Sequence, residues 1–311
     1  MQSFAGKVLV KILLPVSFLE KSKYRLQKIP VNAGFSCPNR DGTLATTGCS
    51  FCANESFSPF YCSSEKTITQ QLQEGISFFG RKYKCNHFLA YFQTYSGTHA
   101  PVSRLEEIYG EALKVPAIEG LVIATRPDCI NSEIVDLLVK INNKSFVRLE
   151  IGVESLNDEV LAGVNRCHDS LTALTALETI KKAGLQVCVH IILGLPGESA
   201  ASLKAGARKL SAIKPDLIKI HHLQIVRGST LAESFARNPE KFKLLNPEKY
   251  ISCLADYLCH LSREIKVERL INRVPEKYLV APVWNGFTEE QLRRRLCDYM
   301  LEKRIWQGCK L

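Results

Sequence analysis

The feature that most constrains this chain is a repeated pairing of a short apolar run with an amphipathic helical run, carried through most of its 311 residues. The apolar runs are 28–32, 87–95, 120–124, 146–153, 185–193 and 216–225. Between them, Ile68 to Tyr83, Val102 to Leu113, Ser132 to Asn142, Ser170 to Ala183 and Ala200 to Ile213 read as helices. Ile68, Leu72, Ile76 and Phe79 show why: they recur every three or four residues, the period of one buried helical face. Asn131 or Ser132 offers an N-cap, and Gly184 closes its helix at the other end. Strands that are apolar over most of their length and separated by helices pair in parallel through right-handed crossovers. The pattern predicts an α/β fold, a partial (β/α)6 TIM-like barrel, with its chemistry at the carboxyl ends of the strands. The polar words Ser96-Gly97-Thr98, Thr125-Arg126-Pro127-Asp128, Glu154-Ser155 and Gly194-Leu195-Pro196-Gly197-Glu198 all fall at those ends.

Character changes near residue 227. Residues 227–311 read as a helix-rich C-terminal extension that caps the open side of the barrel. Pro247 to Ile265 and Thr288 to Arg304 are its amphipathic helices, with strand-like runs at Lys266 to Arg273 and Val280 to Trp284. The core barrel is expected over 25–226, and 1–24 is a basic N-terminal segment. Residues 1–40 carry seven basic side chains against Glu20 alone, within a chain of net charge +10. Such a balance favours a polyanionic partner. That N-terminal stretch is read as an irregular cover for the barrel, with an organelle presequence as the alternative. No apolar run reaches the roughly 18 residues a spanning helix requires.

A loop at the first strand end, Gly34-Phe35-Ser36-Cys37-Pro38-Asn39-Arg40-Asp41-Gly42-Thr43, continues through Gly48-Cys49-Ser50-Phe51-Cys52. Cys37, Cys49 and Cys52 are one ligand short of a closed zinc or iron–sulfur site, since both normally take four protein ligands. Two readings follow. Either one metal position is left for a small molecule, or Cys62 or a distant histidine completes a zinc knuckle in a non-catalytic nucleic-acid-binding protein. The other nine cysteines lack framework spacing: Cys129, Cys167 and Cys188 read as small buried residues, and Cys253, Cys259, Cys297 and Cys309 fit no compact second cluster loop. Free thiols point to a reducing, cytoplasmic compartment.

The loop resembles the signature of the radical S-adenosylmethionine (SAM) enzymes, and its long first spacing and Cys-Pro-Asn-Arg-Asp-Gly word resemble the YhcC-like branch, related to the elongator catalytic subunit. The resemblance runs from about residue 25 to the end. It implies that Cys37, Cys49 and Cys52 hold a 4Fe-4S cluster whose fourth iron SAM chelates, with Phe51 on the adenine. Thr94 and Tyr95 stand where the SAM amino group is met, and Thr125 and Arg126 in an elongator-type word, although Ala124 replaces the acid common before it. Glu154 matches the ribose contact, Arg166 the arginine on the SAM carboxylate, and His190, Gly194 and Pro196 the segment closing over the adenine. Read from the residues themselves, Lys219, His221 and Gln224 alternate along the sixth strand, which turns one face into the barrel, and they are substrate-side candidates. The implied reaction cleaves SAM reductively to a 5'-deoxyadenosyl radical. A flavodoxin or ferredoxin would serve as low-potential electron donor. The substrate is not identified: tRNA is one candidate, and a small metabolite and a protein side chain are the others.

Overall fold

The computed structural model describes residues 26–83 and 85–311. The basic segment expected over 1–24 lies outside them. Six strands follow the expected beat: β1 (Leu26–Val31), β2 (His87–Phe92), β3 (Ile118–Thr125), β4 (Phe146–Glu154), β5 (Gln186–Leu193) and β6 (Leu217–His222). Their crossovers are α1 (Ile68–Tyr83), α2 (Val102–Leu113), α3 (Ser132–Asn142), the pair α4 (Asp158–Gly163) and α5 (Ser170–Lys182), and α6 (Ala200–Ile213). Asn131, Asp169 and Ser199 cap α3, α5 and α6 by accepting hydrogen bonds from N–H groups of the first turn, which satisfies donors no helix can satisfy alone. Helix α1 lies close on β1 because Gly75 has no side chain: a Cβ there would sit 2.3 Å from Cγ2 of Ile29. Ile29, Leu72, Leu105, Leu121, Leu149 and Leu177 are buried in the main apolar core.

After β6 come β7 (Ile225–Val226), at the end of the core, and then α7 (Thr230–Arg237), α8 (Pro247–Cys259), β8 (Lys266–Arg269), β9 (Leu279–Ala281) and α9 (Glu289–Glu302) in the extension. All main-sheet pairs are parallel, in the order β1-β2-β3-β4-β5-β6-β8, with β1 and β8 at the edges. The six expected strands are present, and the extension adds a seventh to the same sheet. That strand is only four residues long and mostly charged, so apolar periodicity does not announce it, whereas α8 supplies the crossover a parallel partner needs. β7 and β9 form a separate antiparallel ribbon.

The sheet curls into an open half-barrel around a polar floor. Glu150 of β4, whose side chain is fully buried, pairs with Lys28 of β1 and lies 2.5 Å from Nζ of Lys219 on β6. The Tyr91 hydroxyl donates to Glu150 at 2.7 Å, and His190 Nε2 lies 3.1 Å from the same oxygen. Glu268 of β8 meets Lys28 at 3.1 Å and Arg148 at 2.9 Å. Buried charge is tolerated where it is paired and hydrogen-bonded. Burial alone would raise the Glu150 pKa, but Lys219 and Lys28 overcome it and hold this carboxyl well below the usual range.

Candidate cofactor site

The metal loop folds on its own backbone. Arg40 and Asp41 donate to the Cys37 carbonyl at 2.7 and 3.1 Å, Gly48 donates to Asn39 at 2.7 Å, and Cys52 donates to Cys49 at 3.0 Å. Cys37, Cys49 and Cys52 thereby line one pocket of about 160 Å³ beside Thr125, Arg126, Glu154 and Arg166. Among the described residues, no three His, Cys, Asp or Glu side chains converge as ligands of a single ion. A cubane cluster, in contrast, spreads its thiolates around a body.

Donors crowd the cysteine sulfurs. Arg166 Nη1 lies 3.3 Å from Cys49 Sγ, Asn39 Nδ2 3.4 Å and Arg126 Nη1 3.7 Å. Arg126 is held by a two-pronged pairing with Asp128 at 2.9 and 2.8 Å, and it also donates to the Arg166 carbonyl at 2.7 Å. Arg166 donates to the Gly152 carbonyl and lies 3.7 Å from Glu154. Its buried Nε has no partner among the described residues. Burial pushes the Cys52 thiol up, with the neighbouring Cys49 adding to the effect. Cysteine sulfurs packed beside the guanidinia of Arg40, Arg126 and Arg166 suit an anionic, thiolate-bound guest, and the orphaned Arg166 Nε suits a carboxylate. The pocket therefore fits a thiolate-held iron–sulfur cluster with SAM.

Backbone strain concentrates here. Tyr95, Glu154, Asn165 and Cys167 adopt positive φ of 59°, 67°, 52° and 59°, a region uncommon outside glycine that clusters at functional sites. A bulge between β4 and β5 accompanies the turn at Glu154. The left-handed residues on either side of Arg166 flank an inward guanidinium. Cys167 is exposed there, not buried as its sequence context suggested. Cys129 and Cys188 are buried as expected, and burial pushes the Cys129 thiol up to about 12.

The other sequence-predicted residues divide. Tyr95, Thr125, Phe51 and His190 line the cluster pocket, whereas Thr94 lines a neighbouring recess of about 40 Å³. Gly194 and Pro196 line a cavity of about 560 Å³ with Phe242 and Leu245. His221 and Gln224 line a chamber of about 240 Å³ that shares Phe51, Cys52, Glu154 and His190 with the cluster pocket. Lys219 lies beneath that wall, 1% exposed and engaged by Glu150. Sequence reasoning passed over Glu150, Asn39, Arg40, Tyr91, Arg269 and Asn272. Asn39 and Arg40 stood in the Cys-Pro-Asn-Arg-Asp-Gly word without a role assigned to them, and the charges of Arg148 and Glu150 inside an otherwise apolar strand were the signal for the floor.

The family model described as the radical SAM superfamily matches residues 37–210, and that described as the radical SAM C-terminal domain matches 215–297. The chain belongs to the radical SAM superfamily. Within this superfamily, YhcC of Escherichia coli K12 is 33% identical over 84% of this chain and 82% of its own length. The tRNA uridine(34) acetyltransferase of Methanocaldococcus infernus is 25% identical over 61% of this chain, which spans 34% of that protein. The structure of M. infernus Elp3 lacking its N-terminus superposes with a TM-score of 0.68, covering 91% of this chain and 64% of that one at 17% identity. That likeness shows the shared fold. Radical SAM membership does not favour the non-catalytic zinc reading. No helix among the described residues is long and apolar enough to cross a membrane.

Proposed function

We propose that this chain is a radical SAM enzyme whose 4Fe-4S cluster is held by Cys37, Cys49 and Cys52 and whose substrate enters the chamber beside it. The observation that carries this reading is the placing of all three loop cysteines in one pocket with Arg126, Arg166 and Glu154 at the carboxyl ends of β3 and β4. When bound, the cluster and SAM supply reductive cleavage of the sulfonium to methionine and a 5'-deoxyadenosyl radical. The chain's own work is positioning and exclusion of water.

In this reading Arg166 receives the SAM carboxylate through a charge-assisted pairing, and Glu154, beside it, takes the ribose. Phe51, which packs against the apolar cluster of Leu195 and Leu223, covers the adenine, with Tyr95, Thr125 and Arg126 completing the wall. Thr94, Gly194 and Pro196 act from the adjoining recesses. His190, buried and held below its ordinary pKa chiefly by burial and then by Lys219, presents a neutral ring between the two compartments. Lys219 acts from beneath, through its pairing with Glu150 and its charge on His190. The core is assigned to 25–226, with 227–311 supplying the chamber's far wall.

The relative named for a tRNA uridine and the chain's net charge of +10 support tRNA as substrate. A flavodoxin or ferredoxin in a reducing cytoplasm is the electron source this chemistry calls for. The test is anaerobic reconstitution followed by dithionite and SAM, with 5'-deoxyadenosine measured with and without bulk tRNA. A rise with tRNA supports the nucleic-acid substrate, and no nucleoside from an intact brown protein sinks the enzyme reading.

A further inference from the structure

The chamber beyond the cluster pocket has a wall that the family chemistry leaves unassigned. It is furnished by Arg269 at the end of β8, Asn272 just after it, Gln93 after β2 and Gln224 after β6. A bulge sets this up. The β6–β8 register runs Ile218 to Val267 and then Lys219 to Arg269, so Glu268 is the extra residue. Glu268 turns to the floor and meets Lys28 and Arg148, while Arg269 lines the chamber. Bulges beside active sites commonly re-aim a side chain in this way.

Among the described residues, Arg269 is half-buried and has no ion-pair or hydrogen-bond partner, and the side chains of Gln93, Gln224 and Asn272 have none either. A guanidinium withdrawn from water is costly unless something answers its charge. The acids nearby are taken: Glu268 by Lys28 and Arg148, Glu150 by Lys28 and Lys219, while Glu154 faces Arg166. His221, which shares the chamber, is kept neutral by burial first and by His190 and Arg269 next. Its Nε2 is also unpartnered.

We infer that Arg269 anchors an oxyanion of the substrate, a carboxylate or a phosphate, through its planar fork, while the amides of Gln93, Gln224 and Asn272 fix the group attached to it. The chamber holds about 240 Å³ and adjoins a cavity of about 600 Å³ through His222, Gln224 and Asn272. The anchored group therefore enters the chamber while the rest of its molecule lies outside. This inference rests on the radical reading of the neighbouring pocket.

The test is phenylglyoxal labelling of the full chain with its cluster reconstituted, read by peptide mass mapping in chloride, inorganic phosphate or succinate at matched ionic strength. Phosphate or succinate should slow labelling of Arg269 about fivefold at a concentration several times the dissociation constant, with exposed Arg237 unaffected. Whichever anion protects tells phosphate from carboxylate. The thermal upshift given by that anion should vanish in Arg269→Gln. Equal labelling in all three solutions, or equal protection of Arg237, overturns the anchor. A chain that forms 5'-deoxyadenosine yet shows no protection loses this inference alone, whereas one that forms none but shows protection loses the radical reading.

Discussion

Arg166 Nη1 lies 3.3 Å from the sulfur of Cys49. One guanidinium thus touches a cluster-ligand candidate on the loop after β1, and through the Gly152 carbonyl and Glu154 it touches the end of β4. The cysteine loop and the end of β4 are not independent parts.

Cys49→Ala should therefore lose both the brown colour and 5'-deoxyadenosine formation. Arg166→Gln should keep the iron and weaken SAM binding. A hydrogen bond to a charged group contributes about 1.5–3 kcal/mol, or roughly ten- to a hundredfold in affinity. Iron content and SAM titration of the reconstituted protein separate the two outcomes, and loss of iron in Arg166→Gln would show that the arginine is needed to assemble the cluster.

Cys62 and Cys167 should be dispensable for metal. The Cys62 thiol donates to the Pro30 carbonyl at 3.1 Å, and burial pushes it up to about 12. Cys167 is exposed on its turn. Iron per chain in Cys62→Ala and Cys167→Ser should equal that of the parent, and a fall in either would add a ligand that the pocket geometry does not suggest.

Gly152→Ala should damage the site more than the fold. A Cβ there would stand 2.6 Å from Oε1 of Glu154 and 2.8 Å from Nη2 of Arg166, so those side chains must move. SAM binding should weaken by about tenfold, or about 1.4 kcal/mol, with the unfolding midpoint little changed. A large drop in the midpoint with normal SAM affinity would refute the assignment.

Glu150→Gln should destabilise by about 3–5 kcal/mol, the usual cost of stripping one partner from a buried ion pair, because Lys219 loses its nearest counter-charge. The sign with pH follows. The folded carboxyl titrates well below its ordinary value, so its stabilisation is present above an unfolded pKa of about 4.3. It fades as pH falls from there through the folded value. Urea melts from pH 7 to pH 3 should show a smaller acid loss in Glu150→Gln than in the parent, and parallel curves would contradict the ion-pair account.

What the sequence made legible was local. Cysteine spacing singled out the loop whose three cysteines share one pocket, and apolar periodicity marked the helices from Ile68 to Ile213 and the first six strands. Strand β8 was read within the run Lys266 to Arg273 but not placed in the sheet, because a short charged strand at an edge leaves little periodic trace. Alternation along β6 indicated which way Lys219 and His221 face but not how deep each lies, so Lys219 joined the substrate side when it belongs to the floor. Arg269 and Gln93 come together only once strands 176 positions apart in sequence share one barrel, and no window of neighbouring residues contains that fact.

Lys28 and Glu268 sit on the two opposite edge strands of the sheet and meet at 3.1 Å. Among the described residues no backbone ladder joins those edges, so a side-chain clasp spans the gap that an eight-stranded barrel would close with hydrogen bonds. The loop bearing Cys37, Cys49 and Cys52 hangs from one edge and Arg269 stands on the other. A latch of charge thus helps to fix their separation, and loosening it would change the reach from that loop to Arg269 without touching either.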